Sequence, residues 1–334
     1  MKKHLTIILP TYNRDSKLYR LLRYFDSVNF NPKIVILDSG SSQEKKAELR
    51  ILLKSDNIHY YKFENIPPMD KLCQGINYIT TPYATFCADD DFISPSALTK
   101  CIEFLETNTE YYSVQGKYMA FWVKNKHLAR VHPTYYQGKD LDIDSFDLSN
   151  RLKKYFSLYT PIFYTLCRAE LLKVFSEKIR AAELLSLPVI NLSEIFLAFI
   201  ALIWGKHKVL PNLYCAREGL MPYVPSKALS VAMLLQHSEY SDVASRFYST
   251  LESVIVEKYS IPRSKARLQV LAGIDAYLNS YIPKVKSGII KRDASREMVK
   301  GQLGYPYYNN TEEIREWERM KFFITNSLLS ESEP

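Results

Sequence analysis

The sequence lacks the marks of three common protein classes. Its five cysteines are widely spaced and form no C-x-x-C pair, which argues against a zinc site and a disulfide framework. The longest apolar run, residues 195–204, has ten residues, half of the about 20 that a membrane-spanning helix needs. No helix-turn-helix, RNP or zinc-finger pattern is present, so no nucleic-acid partner is expected. The first apolar stretch is short and has no A-x-A-like cleavage site, so we expect a cytoplasmic protein with buried free thiols.

The composition is that of an ordinary globular protein with a basic charge balance. Of 334 residues, 47% are hydrophobic and 24% are charged. This length suggests about two domains, or one large domain with an appended lobe. The formal net charge of +8 favours acidic partners, such as phosphorylated substrates or an anionic membrane surface.

The first third of the chain alternates apolar strands with amphipathic helices. Strands are predicted at residues 5–9, where Pro10 is expected to end the strand, and at 33–37, 58–63 and 83–88. Apolar strands separated by helices are typical of a parallel sheet that is covered on both faces. Residues 1–226 are therefore predicted to form an α/β domain.

The later part of the chain changes character. A strand is predicted at 111–123, a long loop at 124–148 and an apolar helix at 192–204, with the cations of Lys206-His207-Lys208 at its C-terminal end. From residue 227 the pattern is almost entirely helical, including a helix at 294–303. Residues 227–334 are accordingly predicted to form a C-terminal helical lobe.

Polar residues follow three of the predicted strands. The first strand runs into Pro10-Thr11-Tyr12-Asn13-Arg14, the second into Asp38-Ser39-Gly40-Ser41-Ser42, and the fourth into Asp89-Asp90-Asp91. The carboxyl ends of parallel strands meet at one edge of the sheet, where ligands bind. Three adjacent carboxylates repel one another at low dielectric, so a cation or polar ligand must compensate them. The alternative is a solvated acidic turn that caps the helix after Pro95.

In this order and spacing, the three motifs resemble those of family 2 glycosyltransferases with the GT-A fold, over roughly residues 4–218. The resemblance implies a Rossmann-like, mostly parallel sheet with helices on both faces, a nucleotide-sugar donor and a bacterial source. It also implies inverting transfer of the sugar to a hydroxyl of a glycan, lipid-linked or protein acceptor. Peripheral association with the inner face of the membrane is a further expectation.

The same resemblance assigns the donor site. It implies that the nucleotide contacts Pro10, Tyr12, Arg14 and Asp38, together with Lys71, Asp89 and Asp90. A Mg²⁺ or Mn²⁺ ion that neutralises the diphosphate is expected on Asp91 and Asp89, with Asp90 as the alternate.

Several of these assignments have competing interpretations. Ala88 stands where the family usually has an acid, so the roles of the three aspartates cannot be assigned by counting. Tyr12-Asn13-Arg14 could simply cap the next helix, Asp38 could be a helix N-cap, and Lys71 could be a surface lysine.

Glu194 is the candidate general base, because the family carries a carboxylate at the start of a helix well after the aspartates. It is the only acid between Leu184 and Arg217. Asn191, three residues earlier, offers the alternative of a capping box, in which Glu194 would only bond backbone donors. Arg217 is a candidate contact to the diphosphate or the acceptor.

Other functions remain open from the sequence. A nucleotidyltransferase also uses aspartates at strand ends, but it needs a glycine-rich phosphate loop, and Pro10 to Arg14 contains no glycine. A non-catalytic nucleotide- or carbohydrate-binding protein is the other alternative. The helical lobe could serve packing, acceptor docking, or formation of a homodimer through its helices.

Overall fold

The chain forms one mixed α/β fold around a central sheet. The computed structural model describes residues 3–40, 45, 47–124, 127–134, 142–159, 161–185, 190–219, 231–236, 238–286 and 311–326. The strands in these ranges are β1 (Leu5–Thr11), β2 (Lys33–Asp38), β3 (Ile58–Lys62), β4 (Tyr83–Phe86), β5 (Phe92–Ile93), β6 (Tyr111–Lys124), β7 (His127–Thr134), β8 (Leu166–Arg168) and β9 (Lys206–Glu218). Their order is β3-β2-β1-β4-β8-β6-β9-β5, and β7 pairs with β6.

The sheet is mostly parallel, as predicted. Strands β3, β2, β1 and β4 are parallel neighbours. The short β8 is antiparallel to both β4 and β6, and the long β6 pairs in parallel with β9. Strands β5 and β7 are antiparallel to their partners. The C-terminal ends of β1, β2, β4, β6 and β9 therefore point toward one edge of the sheet.

The first strand runs two residues past its predicted end and includes Pro10. The Ile8 carbonyl accepts from Cys87 N at 3.0 Å on the β4 side, and the Thr11 carbonyl accepts from Ser39 N at 3.2 Å on the β2 side. Because backbone groups alternate in direction, Pro10 faces the β4 side, where pairing has already ended at Ile8. The missing N–H therefore interrupts no ladder bond.

Three strands were not predicted, and one of them is the two-residue β5, which directly follows the aspartates. Residues 127–134, expected to belong to a loop, form β7, which makes a hairpin with β6. Its sequence is rich in basic residues, and only Val131 among its side chains is described as buried. The cations at 206–208, expected at a helix C-terminus, begin β9 instead. Its pairing with β6 contains several register shifts, which obscure the alternation that identifies a strand.

Helices cover both faces of the sheet. They are α1 (Asp15–Ser27), α2 (Ala47–Leu52), α3 (Pro68–Ile76), α4 (Pro95–Thr107), α5 (Leu148–Leu158), α6 (Ala169–Ala181), α7 (Ile190–Trp204), α8 (Val231–Gln236), α9 (Ser241–Tyr259), α10 (Arg263–Lys286) and α11 (Thr311–Thr325), with a 3₁₀ turn at Ser238–Tyr240. One core contains buried residues of α3 and α5–α10, and the other contains those of α1, α2, α4 and α11. The predicted helix at 294–303 lies outside the described residues.

The helices that follow residue 226 are distributed over both faces. The aromatic ring of Phe247 on α9 contacts those of Phe196 and Phe199 on α7. On the opposite face, Trp317 of α11 is fully buried, and Glu316 accepts a hydrogen bond of 2.6 Å from the buried Tyr24 hydroxyl of α1. The predicted lobe thus packs against the α/β part, and the boundary at 226–227 stays a prediction. All five cysteines are buried and free, as expected.

Candidate functional site

The three polar turns meet at one edge of the sheet and enclose a cleft of about 550 Å³. The turns after β1, β2 and β4 contribute to it, together with the segment between β3 and α3. Its lining residues are Pro10, Thr11, Tyr12, Arg14, Ser39, Asn65, Ile66, Pro68, Lys71, Ala88 and Asp89. The lining combines apolar with polar side chains, which is the usual character of a small-molecule site.

Tyr12 and Lys71 hold contrasting positions in this cleft. The Tyr12 ring is 62% exposed, so it offers a face on which a planar group can stack. Lys71 of α3 is only 4% exposed, and it donates hydrogen bonds of 3.0 Å to the Thr11 carbonyl and 2.7 Å to the Ser39 hydroxyl. Burial lowers the pKa of Lys71. Lys71 is therefore not a surface lysine, because it ties the β1 and β2 turns together.

Asp38 lies behind the cleft rather than on its wall. Its side chain is fully buried and accepts a 2.7 Å bond from Gly40 N, a bond from the Tyr60 hydroxyl, and an ion pair of 2.8 Å from Lys45. Burial alone raises the pKa of Asp38, but these three contacts outweigh it and hold the pKa below its usual value. In this arrangement Asp38 organises the β2 turn, while Ser39 faces the cleft.

Gly40 fits where no side chain could. A Cβ atom at this position would lie 2.7 Å from Asn13 Oδ1 and 2.9 Å from Asp38 Oδ1. Asn13 itself has a positive φ of 52°, a conformation that asparagine tolerates better than most residues. The β1 and β2 turns thus pack directly on one another, which explains the glycine in the second motif.

The aspartate triplet is held from both sides. Asp89 is 3% exposed and accepts 2.7 Å from the Thr11 hydroxyl and 3.2 Å from Arg14 Nη1. The same guanidinium nitrogen donates to Asp90 at 2.7 Å. Burial raises the pKa of Asp89, and the Thr11 hydrogen bond and Arg14 offset this only in part. The alternative of a solvated acidic turn is therefore wrong.

Asp91 turns in the other direction, toward the end of β9. It is 3% exposed, and it accepts 3.1 Å from Arg217 Nε and 3.0 Å from the Glu218 backbone N–H. Burial raises the pKa of Asp91 to about 7, against the opposing effect of Arg217. Next to it, the Ser94 hydroxyl accepts 3.2 Å from Ala97 N, which caps α4 and fixes the end of the turn.

Glu194 faces the same region from α7. The helix begins at Ile190, so Asn191 lies within the helix rather than before it, which removes the register of the capping box. Within the described residues, no hydrogen bond or ion pair to the Glu194 carboxylate is found. Burial raises the pKa of Glu194, while the charge of Arg217 lowers it in part. The Arg217 guanidinium also stacks on Tyr164, at 4.6 Å from the ring centroid.

The fold and the strand-end motifs agree with the result of a family comparison. The profile of the family described as "Glycosyl transferase family 2" matches residues 6–172, half of the chain. This chain belongs to glycosyl transferase family 2. The matched segment contains all three strand-end motifs.

Curated relatives of this family member are bacterial. A GalNAc(5)-diNAcBac-PP-undecaprenol beta-1,3-glucosyltransferase of Campylobacter jejuni is 27% identical over 145 residues, which is 42% of this chain and 44% of that protein. An uncharacterised glycosyltransferase of Rickettsia felis is 25% identical over 134 residues, 40% of this chain and 22% of that protein. The matched segments thus span less than half of the length of these relatives.

Solved structures support the fold over nearly the whole chain. S. aureus TarS 1–349 in complex with UDP-GlcNAc aligns with a TM-score of 0.55 and 12% identity, covering 98% of this chain and 82% of that one. A second structure of TarS 1–349 gives a TM-score of 0.52 at 10% identity, covering 97% and 80%. At this identity the likeness concerns the fold, which is the GT-A fold expected from the motifs.

The structure brings the predicted site residues together in two groups. Pro10, Tyr12, Arg14, Lys71 and Asp89 line the cleft, with Asp90 beside Arg14. Asp91, Arg217 and Glu194 form the second group, on the β9 side of the aspartates. Sequence reasoning missed the other residues that complete or support the site, which are Thr11, Ser39, Lys45, Tyr60, Asn65, Ile66, Arg20, Lys17 and Glu218. Thr11 and Ser39 lie inside the quoted motifs, which was the available signal for them.

The carboxylates of the aspartate turn are the candidate ligands for a metal ion. Among the described residues, no group of three or more His, Cys, Asp or Glu side chains is placed to hold a metal ion. Mg²⁺ commonly needs only one or two carboxylates when substrate phosphates supply the remaining ligands. The Asp90 side chain is 18% exposed, against 4% each for Asp89 and Asp91, so Asp90 is the most accessible donor. All three carboxylates pair with an arginine, Asp89 and Asp90 with Arg14 and Asp91 with Arg217.

Proposed function

We propose that this protein is a glycosyltransferase that inverts configuration as it moves a sugar from a nucleoside-diphosphate donor to an acceptor hydroxyl, with help from a divalent cation. The observation that carries the proposal is the position of a half-apolar cleft beside the aspartate turn, with the carboxylate of Glu194 beyond it, which has no hydrogen bond to any described residue. The TarS complex with UDP-GlcNAc adds support, because that protein has the same fold.

The cleft suits the nucleoside part of the donor. Tyr12 supplies the exposed ring for stacking with the base, and Pro10 and Ile66 extend the apolar wall. Ser39 and Asp89 supply polar groups for the ribose and for the edge of the base. While Lys45 pairs with Asp38, Asp38 would support the nucleotide indirectly, by holding the shape of the β2 turn. Direct contact with the nucleotide would need Lys45 to move away. Lys71 would keep the β1 and β2 turns in register for the nucleotide.

Charge neutralisation of the diphosphate is assigned to the aspartate turn and its arginines. We propose Asp90 as the first carboxylate ligand of Mg²⁺ or Mn²⁺, with Asp89 or Asp91 beside it. Such an ion neutralises the charge that develops on the leaving diphosphate. Arg14, which pairs with Asp89 and Asp90, is placed to turn toward the phosphates as they arrive, and Arg217 is within the same region.

Glu194 is proposed as the general base. As the acceptor oxygen attacks the anomeric carbon, the bond from that carbon to the diphosphate breaks, and the hydroxyl proton passes to a Glu194 oxygen. Proton transfer is most efficient when the pKa of the base lies near the working pH. Burial raises the pKa of Glu194 in that direction. Because this carboxylate has no hydrogen bond among the described residues, it can accept the proton there without losing a structural contact.

The acceptor class is proposed from the C. jejuni relative, whose name describes transfer to a glycan on a PP-undecaprenol carrier. By that analogy we propose a lipid-linked glycan as acceptor, reached from the inner face of a membrane. No helix in the described ranges is long and apolar enough to cross a membrane. Peripheral attachment through the basic charge balance is therefore part of the proposal, and formation of a homodimer remains a further prediction.

One experiment tests donor and cation together. Melting temperatures would be measured with UDP-, GDP-, CDP- and dTDP-sugars, with CMP-sugars as the monophosphate control, each with Mn²⁺, with Mg²⁺ and with EDTA. One diphosphate donor should raise the melting temperature, and by more with the cation than with EDTA. The bound donor is then incubated with lipid-linked glycans to detect transfer. Stabilisation without hydrolysis or transfer would favour a non-catalytic binding protein, and stabilisation by none of the donors would contradict the proposal.

A further inference from the structure

A buried arginine under the aspartate turn carries a further inference. Arg20 lies on α1 and is 5% exposed, although the turn that it contacts is 70 residues away in the sequence. Its Nη2 donates 2.9 Å to the backbone carbonyl of Asp90 and 2.6 Å to Glu218 Oε2. One nitrogen therefore joins helix α1, the aspartate turn and the end of β9.

The surroundings of Arg20 hold its side chain in one place. Its guanidinium carbon lies 4.9 Å from the ring centroid of Phe92 and 5.9 Å from that of Phe121. Phe92 directly follows the triplet and is fully buried. A guanidinium stacked on aromatic faces keeps its plane fixed, which a lysine ammonium cannot reproduce.

Glu218 completes the connection. Its carboxylate accepts hydrogen bonds from Arg20 and Lys17 of α1. Its own backbone N–H donates to Asp91 Oδ1 at 3.0 Å. The two α1 cations outweigh burial and hold the pKa of Glu218 below its usual value, so the carboxylate is charged. Glu218 thus pairs with two cations of α1 and also holds the side chain of Asp91.

A buried ion pair is a costly way to stabilise a fold, since apolar side chains of similar volume often do as well. Here the pair does something that apolar side chains could not do, because Arg20 also donates to the Asp90 carbonyl and holds the side chain of Glu218, whose backbone N–H donates to Asp91 Oδ1. We propose that Arg20 is a positioning residue for the transfer reaction, which sets the conformation of the Asp89–Asp91 turn through the Asp90 carbonyl and Glu218. The expected effect on turnover rests on the proposed function. The expected effect on the conformation of the turn does not.

Arg151 provides a matched control. It is also a buried arginine, 4% exposed, and donates to the carbonyls of Leu202, Ser145 and Phe146 and to the Tyr259 hydroxyl. None of these groups belongs to the cleft or the aspartate turn. Arg20→Met and Arg151→Met both remove buried donors and keep an unbranched apolar chain, so a general loss of stability should affect them alike.

The first measurement is amide hydrogen exchange, which requires no substrate. The amides of Asp91 and Glu218 are hydrogen-bonded in the wild-type turn, to the Ala88 carbonyl at 3.2 Å and to Asp91 Oδ1 at 3.0 Å. In Arg20→Met their exchange should speed up by about tenfold or more, while Arg151→Met should leave them near wild type. Equal exchange in the two variants would overturn the proposal.

The second measurement is steady-state kinetics with the donor found by the melting-temperature screen. Arg20→Met should lower kcat by about tenfold or more with a smaller change in the KM of the acceptor, because the aspartates contribute most in the transition state. Arg20→Lys should recover part of the loss. If Arg20→Met does not fold, the comparison is made between Arg20→Lys and Arg151→Lys. If wild type binds and transfers nothing, the proposed function fails, and the exchange experiment still decides the role of Arg20.

Discussion

At the scale of residues, the site is a set of buried or partly buried carboxylates that form ion pairs with arginine and lysine side chains. Four carboxylates lie within one hydrogen-bonded arrangement, and each contacts at least one arginine or lysine; they are Asp89, Asp90, Asp91 and Glu218. Removing one cation would leave a buried acid uncompensated, which raises its pKa and favours its neutral form. The charges of the site are therefore interdependent, and single substitutions need controls at distant positions.

Glu194→Gln should separate catalysis from binding. The amide keeps the shape of the side chain but cannot accept a proton, so kcat should fall by about 10²–10⁴-fold. Donor affinity and melting temperature should stay close to wild type, because the carboxylate has no hydrogen bond within the described residues. Kinetics, calorimetric titration of the donor and thermal melting check this, with Glu103→Gln on the exposed face of α4 as the control. A large loss of stability with unchanged kcat would assign Glu194 a structural role.

The pH dependence of turnover gives a second test at this scale. Burial raises the pKa of Glu194, so the acidic limb of the kcat profile should lie above the range of an ordinary glutamate. Arg217 lowers this pKa in part, so Arg217→Gln should move the limb to still higher pH. Profiles of wild type and variant over about pH 5 to 9 check the shift. A limb at the same pH in both proteins would contradict electrostatic coupling between the two residues.

Sequence reasoning could identify the motif residues because each motif is local. Tyr12, Arg14 and the aspartates follow strands within a few residues, so their meeting at one edge follows from the parallel sheet. It could not identify Arg20 as a partner of Glu218, since the two residues are 198 positions apart. Spacing along a helix shows which side chains share a face, but not which distant strand that face will meet.

At the scale of elements, every strand of the regular parallel part of the sheet was predicted, whereas only β6 was predicted from the irregular β6–β9 pair. Strands β1 to β4 pair in regular registers, and all four were predicted. Strand β9 was not, because its pairing with β6 shifts register between Gln115 and Lys117 and again before Tyr118. Such irregularities turn side chains to the other face and remove the period of two. Yet this irregular strand carries Arg217 and Glu218 to the site.

His207 near the start of β9 should make the stability of the fold depend on pH. Its ring is 2% exposed, with Nδ1 at 2.8 Å from the Ser113 hydroxyl, and burial lowers its pKa to about 3. Because the folded pKa lies below the unfolded value of about 6.5, the unfolded state gains protons first as the pH falls. The contribution of His207 is thus complete above about pH 6.5 and is lost toward about pH 3, by up to about 1.4 kcal/mol per pH unit.

His207→Gln should remove this dependence. Urea unfolding at about pH 7 and pH 5 should show the free energy of unfolding falling more steeply for wild type than for the variant. His132→Gln on β7, where the side chain is exposed, is the control and should follow wild type. Parallel pH curves for wild type and His207→Gln would show that the buried ring is not the responsible group.

At the scale of the whole molecule, the helices after residue 226 are part of the packing of the α/β unit. Helices α9 and α10 share a core with α5 and α7, and α11 closes the opposite face over α1. Of the three roles that the sequence left open for this segment, packing is the one that these contacts support. Dimerisation and acceptor docking remain predictions, because helical periodicity shows that a face is apolar without showing what covers it.

Truncation after residue 226 tests this view of the molecule. Without α9 and α10, the apolar side chains of α7 that now contact them, such as Phe196 and Phe199, would face water. Each large side chain that loses its burial costs about 1.5–3 kcal/mol, so about five to ten such losses reach the upper end of the about 5–15 kcal/mol that stabilises a typical domain. We therefore expect the fragment 1–226 to aggregate or to unfold without a cooperative transition. Trp317→Ala in the full chain is the graded comparison, since opening the core of the other face should cost about 3–5 kcal/mol and leave a folded protein. A soluble 1–226 fragment that melts cooperatively and binds the donor would instead make the C-terminal helices a separate domain.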